Sequence, residues 1–338
     1  MANQLDEIRE RLLSAEADHP GWSIQGHASK GFLGFENPAL ERLSFGHHEG
    51  VIDYWPDELI IRVRAGTALC DIDQVLEANR QRMIFEAPRV NGQGTVGGAV
   101  AAGLSGPSSP FNRQIRHGLL GLQLLRGTGE AVRFGGEVVK NVAGYDITRL
   151  QIGALGIFGP ILDVSMKVEP IPEWRGAFAM PAGEDSLRRL TDHKHDRGLT
   201  GAGILGDQIV LRFEGSGANA DQIRPRLKSL GYSEISMDVF TSLRDLTFLP
   251  AIDWRWEGPR ETPLSGHEIA VDWLGGLRYF ADQADAPPEG KLWPYGPEAR
   301  QTYSFLNVGA AQHGILARLK ATFDPQGTFN AGRLAREF

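Results

Sequence analysis

Glycine is concentrated in one stretch of the chain, and this concentration restricts the possible folds more than any other feature. The chain has 42 glycines in 338 residues, and they are densest between Gly92 and Gly159. Glycine adopts positive φ angles readily and lets the main chain approach a ligand closely. We therefore expect this stretch to wrap its backbone around a bound cofactor.

The strongest motif is the run of small residues from Gly92 to Gly103, GQGTVGGAVAAG. Main-chain N–H groups in such loops form concave anion sites that suit a pyrophosphate. The run does not match a nicotinamide fingerprint, which follows a first strand, opens a helix and is trailed by an acidic residue. A purely structural packing role is the alternative. No GxxxxGK(S/T) motif occurs, so the sequence does not support phosphoryl transfer.

Charge and cysteine content exclude several classes of protein. The net charge of −7 and the lack of a basic run argue against a nucleic-acid partner, because phosphate binding needs clustered Lys and Arg. The single cysteine, Cys70, can form neither an intrachain disulfide nor a cysteine-ligated cluster. The acidic N-terminus does not resemble a signal peptide, and no apolar stretch is long enough for a membrane span. We expect a cytoplasmic protein without a metal site. Peripheral docking at the inner membrane, through partner proteins, is a further possibility.

Residue patterns in the first half predict one small α/β unit followed by a β-hairpin. The predicted elements are a helix over 3–17, a strand over 59–65, a helix over 68–79 with Thr67 as its N-cap, strands over 119–125 and 131–134, and a strand over 161–168. Two prolines, Pro170 and Pro172, then mark a boundary.

The second half alternates between strand and helix patterns, which is typical of a ferredoxin-like α+β domain. The predicted elements are strands over 177–180, 208–213, 234–239, 277–281 and 303–308, and helices over 184–195, 221–230 and 310–323.

A second motif makes the pattern specific. KNVAGYD at 140–146 is followed by GALGIFG at 153–159. With the first motif, residues 85–168 resemble the FAD-binding domain of the vanillyl-alcohol oxidase superfamily, of PCMH type. GGAVAAGLSGP, KNVAGYD and FDPQGTFNAGRL resemble the FAD-binding E subunit of glycolate oxidases. The resemblance covers residues 20–172 and 311–334.

The resemblance implies an α+β fold with a two-subdomain PCMH-type FAD-binding domain over 1–172 and FAD in the cleft between the subdomains. A ferredoxin-like α+β cap domain follows over 173–310, and residues 311–338 return to the first domain. It also implies non-covalent FAD. The cofactor-binding residues expected from the resemblance are Gly26, Ser29, Lys30, Gly94, Thr95, Val96, Gly97, Gly98, Gly103, Ser105, Gly153, Gly156 and Ile161.

The loop GHASKGFLG, residues 26–34, departs from the family pattern of three consecutive glycines followed by Ser or Thr. His27 and Ala28 stand where glycine is expected. If either position takes a positive φ, the substitution costs roughly 1 kcal/mol or more.

Four residues are candidates for catalysis. Arg113 and Arg116 follow a Pro-rich loop and could bind a substrate carboxylate by a two-point fork, with a solvated surface role as the alternative. Lys140 and Tyr145 could face the flavin, with a structural turn as the alternative.

The resemblance places this chain among accessory subunits. Relatives that oxidise hydroxy acids alone carry a motif resembling HGDGNxH, and this sequence lacks it. The implied function is electron transfer from a small 2-hydroxy acid through FAD, beside a catalytic flavin subunit and an iron–sulfur subunit. Two alternatives stay open: a stand-alone FAD-dependent oxidoreductase for another small alcohol or hydroxy acid, and a scaffold subunit that has lost FAD.

Overall fold

The computed structural model describes residues 3–14, 18–136, 147–306 and 308–338. Helices in these ranges are α1 Asn3–Leu13, α2 Leu69–Glu77, α3 Val96–Ala102, α4 Ile115–Gly118, α5 Ile147–Leu150, α6 Ser186–Asp192, α7 Gly217–Ser229, α8 Asp238–Asp245, α9 Pro297–Thr302 and α10 Ala310–Phe323. Strands are β1 Trp22–Gln25, β2 Glu41–Ser44, β3 Val51–Trp55, β4 Ile60–Arg64, β5 Gln81–Met83, β6 Leu119–Leu125, β7 Ala131–Gly135, β8 Ile161–Pro170, β9 Trp174–Pro181, β10 Leu199–Leu205, β11 Gln208–Gly215, β12 Ser233–Ile235, β13 Trp254–Glu257, β14 Ala270–Asp272, β15 Leu277–Phe280 and β16 Lys291–Pro294.

The first half is built on an antiparallel sheet with the strand order β3-β4-β8-β6-β7, and β5 pairs with the far end of β8. Helices α2 and α3 supply apolar residues to its core. Ile61 and Val63 of β4, Ile72 of α2, Val100 of α3 and Val164 of β8 are fully buried. This core fixes α3 against the sheet and so positions the glycine-rich run.

The second half is built on a sheet with the strand order β12-β9-β11-β10-β14-β15-β13-β16. Its first part is a βαββαβ unit, β9-α6-β10-β11-α7-β12, with antiparallel pairing throughout. Leu190 of α6 and Leu227 of α7 pack with Leu211 and Phe213 of β11. The ferredoxin-like prediction is confirmed, and four further strands extend the sheet beyond it.

The end of the chain returns to the first half. Phe329 bridges to Trp22 in parallel, and the Trp22 N–H donates to the Thr328 carbonyl at 2.6 Å. The Lys320 ammonium donates to the Ile157 carbonyl at 2.6 Å. The end of the chain therefore lies beside the stretch 153–161, which carries the second glycine-rich motif.

The β6–β7 hairpin is confirmed, with the Arg126 N–H donating to the Glu130 carbonyl at 2.9 Å. The α10 prediction is also confirmed over its full length. Thr67 is wrong as the cap of α2, because Ala68 is the N-cap. The Thr67 hydroxyl instead donates to the Arg64 carbonyl at 2.7 Å and accepts from Gly50, which fastens the end of β4.

Two strand predictions in the second half are wrong. The strand expected over 234–239 ends at Ile235, and α8 begins at Asp238 after a turn in which the Ser236 hydroxyl accepts from the Asp238 N–H. The described residues of 303–308 form no strand. Phe305 and Leu306 pack against the main apolar core instead, and the exposed Tyr303 lies edge-on against Trp254 with 4.9 Å between ring centroids.

Within the described ranges, no helix has the length and apolarity that a membrane crossing requires.

Candidate cofactor site

A cavity of about 520 Å³ lies where five segments of the chain meet. These segments are the end of β1 with the loop 26–34, the following stretch 35–45, α3 with its N-cap, the stretch 155–161, and residues 330–333 from the end of the chain. The volume is in the range of small-molecule and cofactor sites. The cavity therefore joins both glycine-rich motifs to the C-terminal segment, by which we mean residues 324–333.

Close backbone packing shapes the wall between the loop 26–34 and α3. A Cβ atom on Gly26 would lie 2.5 Å from the Thr95 hydroxyl, and one on Gly97 would lie 2.7 Å from the Cβ of Ala65. Thr95 is the N-cap of α3, and its hydroxyl accepts from the Gly98 N–H at 3.1 Å. Glycine at 26 thus lets the loop approach the start of α3, and glycine at 97 lets α3 pack against Ala65 at the end of β4.

Ala28 adopts a left-handed backbone conformation, with φ +54°, whereas His27 does not. The left-handed conformation costs a non-glycine residue roughly 1–2 kcal/mol. One of the two departures from the family's glycine pattern is therefore strained. His27 carries a different cost, because its buried Nδ1 has no hydrogen-bond partner among the described residues.

The expected cofactor residues divide into two groups. Those that line the cavity are Gly26, Ser29, Lys30, Thr95, Gly97, Gly98, Gly156 and Ile161. Those that lie outside its lining are Gly94, Val96, Gly103, Ser105 and Gly153.

The residues outside the lining have other contacts. The Val96 side chain is fully buried in the core. Gly103 ends α3 with φ +67°, and a Cβ there would lie 2.8 Å from the Cα of Gly153. The Gly94 carbonyl accepts from the Leu69 N–H at the start of α2. Ser105 is partly buried. These residues lie behind the cavity lining and do not face the cavity.

The two catalytic candidates that the structure describes, Arg113 and Arg116, lie outside the cavity lining. Arg113 makes ion pairs with Glu214 at 2.7 Å and with Glu169 at 3.1 Å, so its guanidinium is engaged by carboxylates. Arg116 is exposed. Lys140 and Tyr145 lie outside the described residues.

The cavity wall carries more positive than negative charge. Among the described lining residues, Lys30, Arg42 and Arg333 are cationic and Glu36 is the one carboxylate. Burial lowers the pKa of Lys30 to about 8, although Asp245 acts in the opposite direction. Burial and the neighbouring Arg300 lower the pKa of Arg333 from its ordinary value, while Glu36 opposes this shift. A wall with partly buried, poorly compensated cations suits a bound anion.

Among the lining residues that the sequence did not predict are Asn330 and Arg333, both from the end of the chain. Asn330 has φ +45°, accepts from the Ile24 N–H at 2.8 Å and donates to the Leu155 carbonyl at 2.6 Å. It thereby connects three segments of the wall. The available signal was the motif FDPQGTFNAGRL, since asparagine tolerates the left-handed conformation after a turn.

A network of ion pairs joins the two sheets. Arg212 forms a two-point pair with Glu86 at 2.7 and 3.0 Å, and Glu214 receives both Arg82 and Arg113. Burial of Glu214 opposes ionisation, but the surrounding arginines more than offset it and lower its pKa to about 2. The network fixes the second sheet over the first.

Comparison with known proteins agrees with this geometry. Residues 4–135 match the family model of an FAD binding domain. The alkyldihydroxyacetonephosphate synthase structure superposes with a TM-score of 0.69 at 13% identity, covering 100% of this chain and 76% of that one. At that identity the match shows the fold alone. Fold, domain match and cationic cavity together define an FAD-binding oxidoreductase.

The curated relatives make the class more specific. Glycolate oxidase subunit GlcE of Escherichia coli K12 is 33% identical over 98% of this chain and 97% of that protein. The chain belongs to this GlcE family. Glycolate oxidase subunit GlcD of Bacillus subtilis is 29% identical over 39% of this chain and 28% of its own length. D-lactate dehydrogenase of Anaerostipes hadrus is 28% identical over 36% of this chain and 26% of its own length.

The residues present fit FAD. Gly26 lies so close to Thr95 that a side chain at position 26 would not fit, so the wall there is formed by main chain. Lys30 and Arg333 line the cavity and carry positive charge that suits a diphosphate.

Proposed function

We propose that this chain is the FAD-binding subunit of a glycolate (2-hydroxy acid) oxidase complex, and that electrons pass from its flavin to an iron–sulfur partner. The observation that carries the proposal is the match to GlcE along nearly the whole of both chains. The related GlcD matches only the portion shared by FAD-binding relatives. This pattern favours an accessory flavoprotein over a complete hydroxy-acid dehydrogenase.

FAD bound here supplies a two-electron acceptor, and the chain holds it non-covalently. The residues of this chain bind the cofactor and orient it. Gly97 and Gly98 present backbone at the start of α3, Thr95 fixes the direction of that helix, and Lys30 contributes positive charge. The ion pairs between the sheets hold the second sheet in place and limit the access of water.

Substrate oxidation is proposed to take place in the catalytic flavin subunit of the complex. Arg113 already pairs with two carboxylates, so its fork is not open to a substrate carboxylate. The exposed Arg116 is the remaining described candidate.

The iron–sulfur centre must reside in a partner, because Cys70 is the only cysteine of the chain. We place the complex in the cytoplasm, with peripheral contact to the inner membrane through partners.

The test is glycolate reduction of the flavin in the isolated chain and in the chain co-purified with its catalytic flavin and iron–sulfur subunits. We expect bleaching of this chain's flavin only in the complex. Rapid bleaching of the isolated chain by glycolate would support a stand-alone oxidoreductase instead. A complex that assembles and oxidises glycolate while this chain holds no FAD would support the scaffold alternative.

A further inference from the structure

We propose that Arg333 is a ligand of the FAD diphosphate, so that the C-terminal segment completes the cofactor site. The inference rests on FAD binding by this chain and is independent of the partners and substrate proposed above. It assigns a binding role to a residue more than 300 positions away from the loop 26–34 on which it acts.

The C-terminal segment is a firm platform for Arg333. The Asp324 carboxylate accepts from the Thr328 N–H at 3.1 Å, the Thr328 hydroxyl at 2.9 Å and the Phe329 N–H at 2.8 Å. It also pairs with the Lys320 ammonium at 2.7 Å. Because Asp324 and Lys320 are buried, these bonds hold the segment in one conformation.

Arg333 is joined directly to the loop 26–34. Its carbonyl accepts from the Phe35 N–H at 2.8 Å, just after that loop. Gly34 has φ +69°, and a Cβ there would collide with the Arg333 carbonyl and lie 3.1 Å from its Cγ. The stem of the arginine therefore passes closely over Gly34 toward the cavity that it lines.

The guanidinium of Arg333 has little to bind in the protein. Its one described hydrogen bond is a long one, 3.5 Å from Nη2 to the Lys30 carbonyl. Among the described residues, no carboxylate lies within 4.0 Å of it. The buried arginines of the second sheet differ, since Arg212 pairs with Glu86 at 2.7 Å and Arg278 with Glu268 at 3.2 Å.

The nearby guanidinium of Arg300 repels that of Arg333 when no anion is bound. Arg300 lies near enough to lower the pKa of Arg333, and its own Nη1 is engaged by the Gly31 carbonyl at 2.6 Å. Two like charges beside one cavity repel each other unless an anion lies between or beside them. A diphosphate matches this need, and its oxygens suit the two-point geometry of arginine.

Arg333→Met tests the proposal, with Arg336→Met as the matched control. Arg336 lies three residues further on, is exposed and is not part of the cavity lining, although it stacks on the lining residue Phe35; it donates to the Gln301 carbonyl. We would titrate each purified variant with FAD by flavin fluorescence and measure its apo melting temperature. We would also measure competition by ADP and by adenosine.

We expect Arg333→Met to weaken FAD binding roughly 10- to 100-fold, as for loss of a charged hydrogen bond. Binding of ADP should weaken by a similar factor, while adenosine should compete as in the wild type. Arg333→Lys should recover part of the affinity. Arg336→Met should bind FAD within about twofold of wild type, in line with surface substitutions.

FAD and ADP affinities within twofold of wild type in folded Arg333→Met would overturn the proposal. If that variant fails to fold, Glu36→Gln decides. Removing this competing carboxylate should tighten FAD binding if Arg333 serves the diphosphate. If Glu36 is instead the structural partner of Arg333, the substitution should lower the apo melting temperature and leave FAD affinity unchanged. Failure of the wild-type chain to bind FAD at all would count against the cofactor assignment itself and not only against Arg333.

Discussion

At the scale of single residues, the site combines strained or poorly compensated groups with a rigid surrounding wall. Ala28 is left-handed, His27 buries an unpaired nitrogen, and Lys30 holds a lowered pKa. Such features cluster at functional sites because the surrounding structure enforces them. Ala28 and Lys30 each give a measurable prediction.

Replacing Ala28 with glycine should stabilise the apo protein by up to about 1 kcal/mol. The gain from relieving the left-handed strain exceeds the added entropy of the unfolded chain. Urea unfolding measures the change. Ala39→Gly is the control, because Ala39 is exposed and not left-handed, and this substitution should be neutral or mildly destabilising. An Ala28→Gly variant less stable than wild type would show that the φ of Ala28 is not a source of strain.

The affinity for FAD should fall as pH rises above about 8, where Lys30 loses its proton in the apo protein. Below that pH the ammonium is charged in both states and adds to the attraction for the diphosphate. Above it, binding must take up a proton, which weakens affinity by up to about tenfold per pH unit. Fluorescence titrations across this range measure the effect.

Lys30→Arg serves as the control for this pH dependence, because arginine stays charged throughout. A wild-type affinity that stays flat across the same range would remove Lys30 from the binding site.

At the scale of elements, helices and strands with a regular residue pattern were predicted well from the sequence, and the segments that connect them were predicted less well. The βαββαβ unit and the β6–β7 hairpin follow from alternation and turn residues, which are local signals. The stretch 303–308 is rich in apolar residues, yet its described residues form no strand, because tertiary contacts override the local preference. The glycine walls of the cavity were recognisable because close backbone approach allows few other residues.

Asn330 and Arg333 escaped sequence analysis because their partners are distant. Asn330 binds Ile24 across 306 positions, and no periodicity encodes such a pairing. The burial of Lys320 and Asp324, and so their role as anchors, likewise depends on tertiary contacts that the sequence does not show.

Lys320→Met should destabilise the protein by about 3–5 kcal/mol, because it leaves the Asp324 carboxylate buried with one fewer partner and no cation. The Ile157 and Phe329 carbonyls also lose a donor. FAD affinity should fall with it, since the C-terminal segment loosens. Chemical denaturation and FAD titration measure both effects.

Lys228→Met, at an exposed position in α7, should change stability by less than about 0.5 kcal/mol. A Lys320→Met variant as stable as this control would mean that the anchor contributes little.

At the scale of the whole molecule, the two sheets act as one unit because ion pairs cross between them. Glu214 of β11 meets Arg82 of β5 and Arg113, and Glu86 meets Arg212. The Trp273 indole N–H adds a bond to the Gly106 carbonyl at 3.0 Å. Loss of these contacts would free the second sheet from the first.

Acid should weaken this junction. The pKa of Glu214 falls from 4.5 to about 2 on folding, so its contribution is complete above pH 4.5 and is lost as pH falls toward 2. The difference corresponds to about 3 kcal/mol. Unfolding by urea at a series of acid pH values should show this slope, and Glu214→Gln should flatten it while lowering stability near neutral pH. An equal slope in the variant would assign the acid sensitivity to other carboxylates.

Whether the cationic cavity holds FAD can be read from the visible absorption spectrum of the purified chain. The spectrum is recorded before and after incubation with FAD and removal of the free cofactor. We expect a flavin band that survives removal and corresponds to one FAD per chain. A colourless protein that takes up no FAD would contradict it.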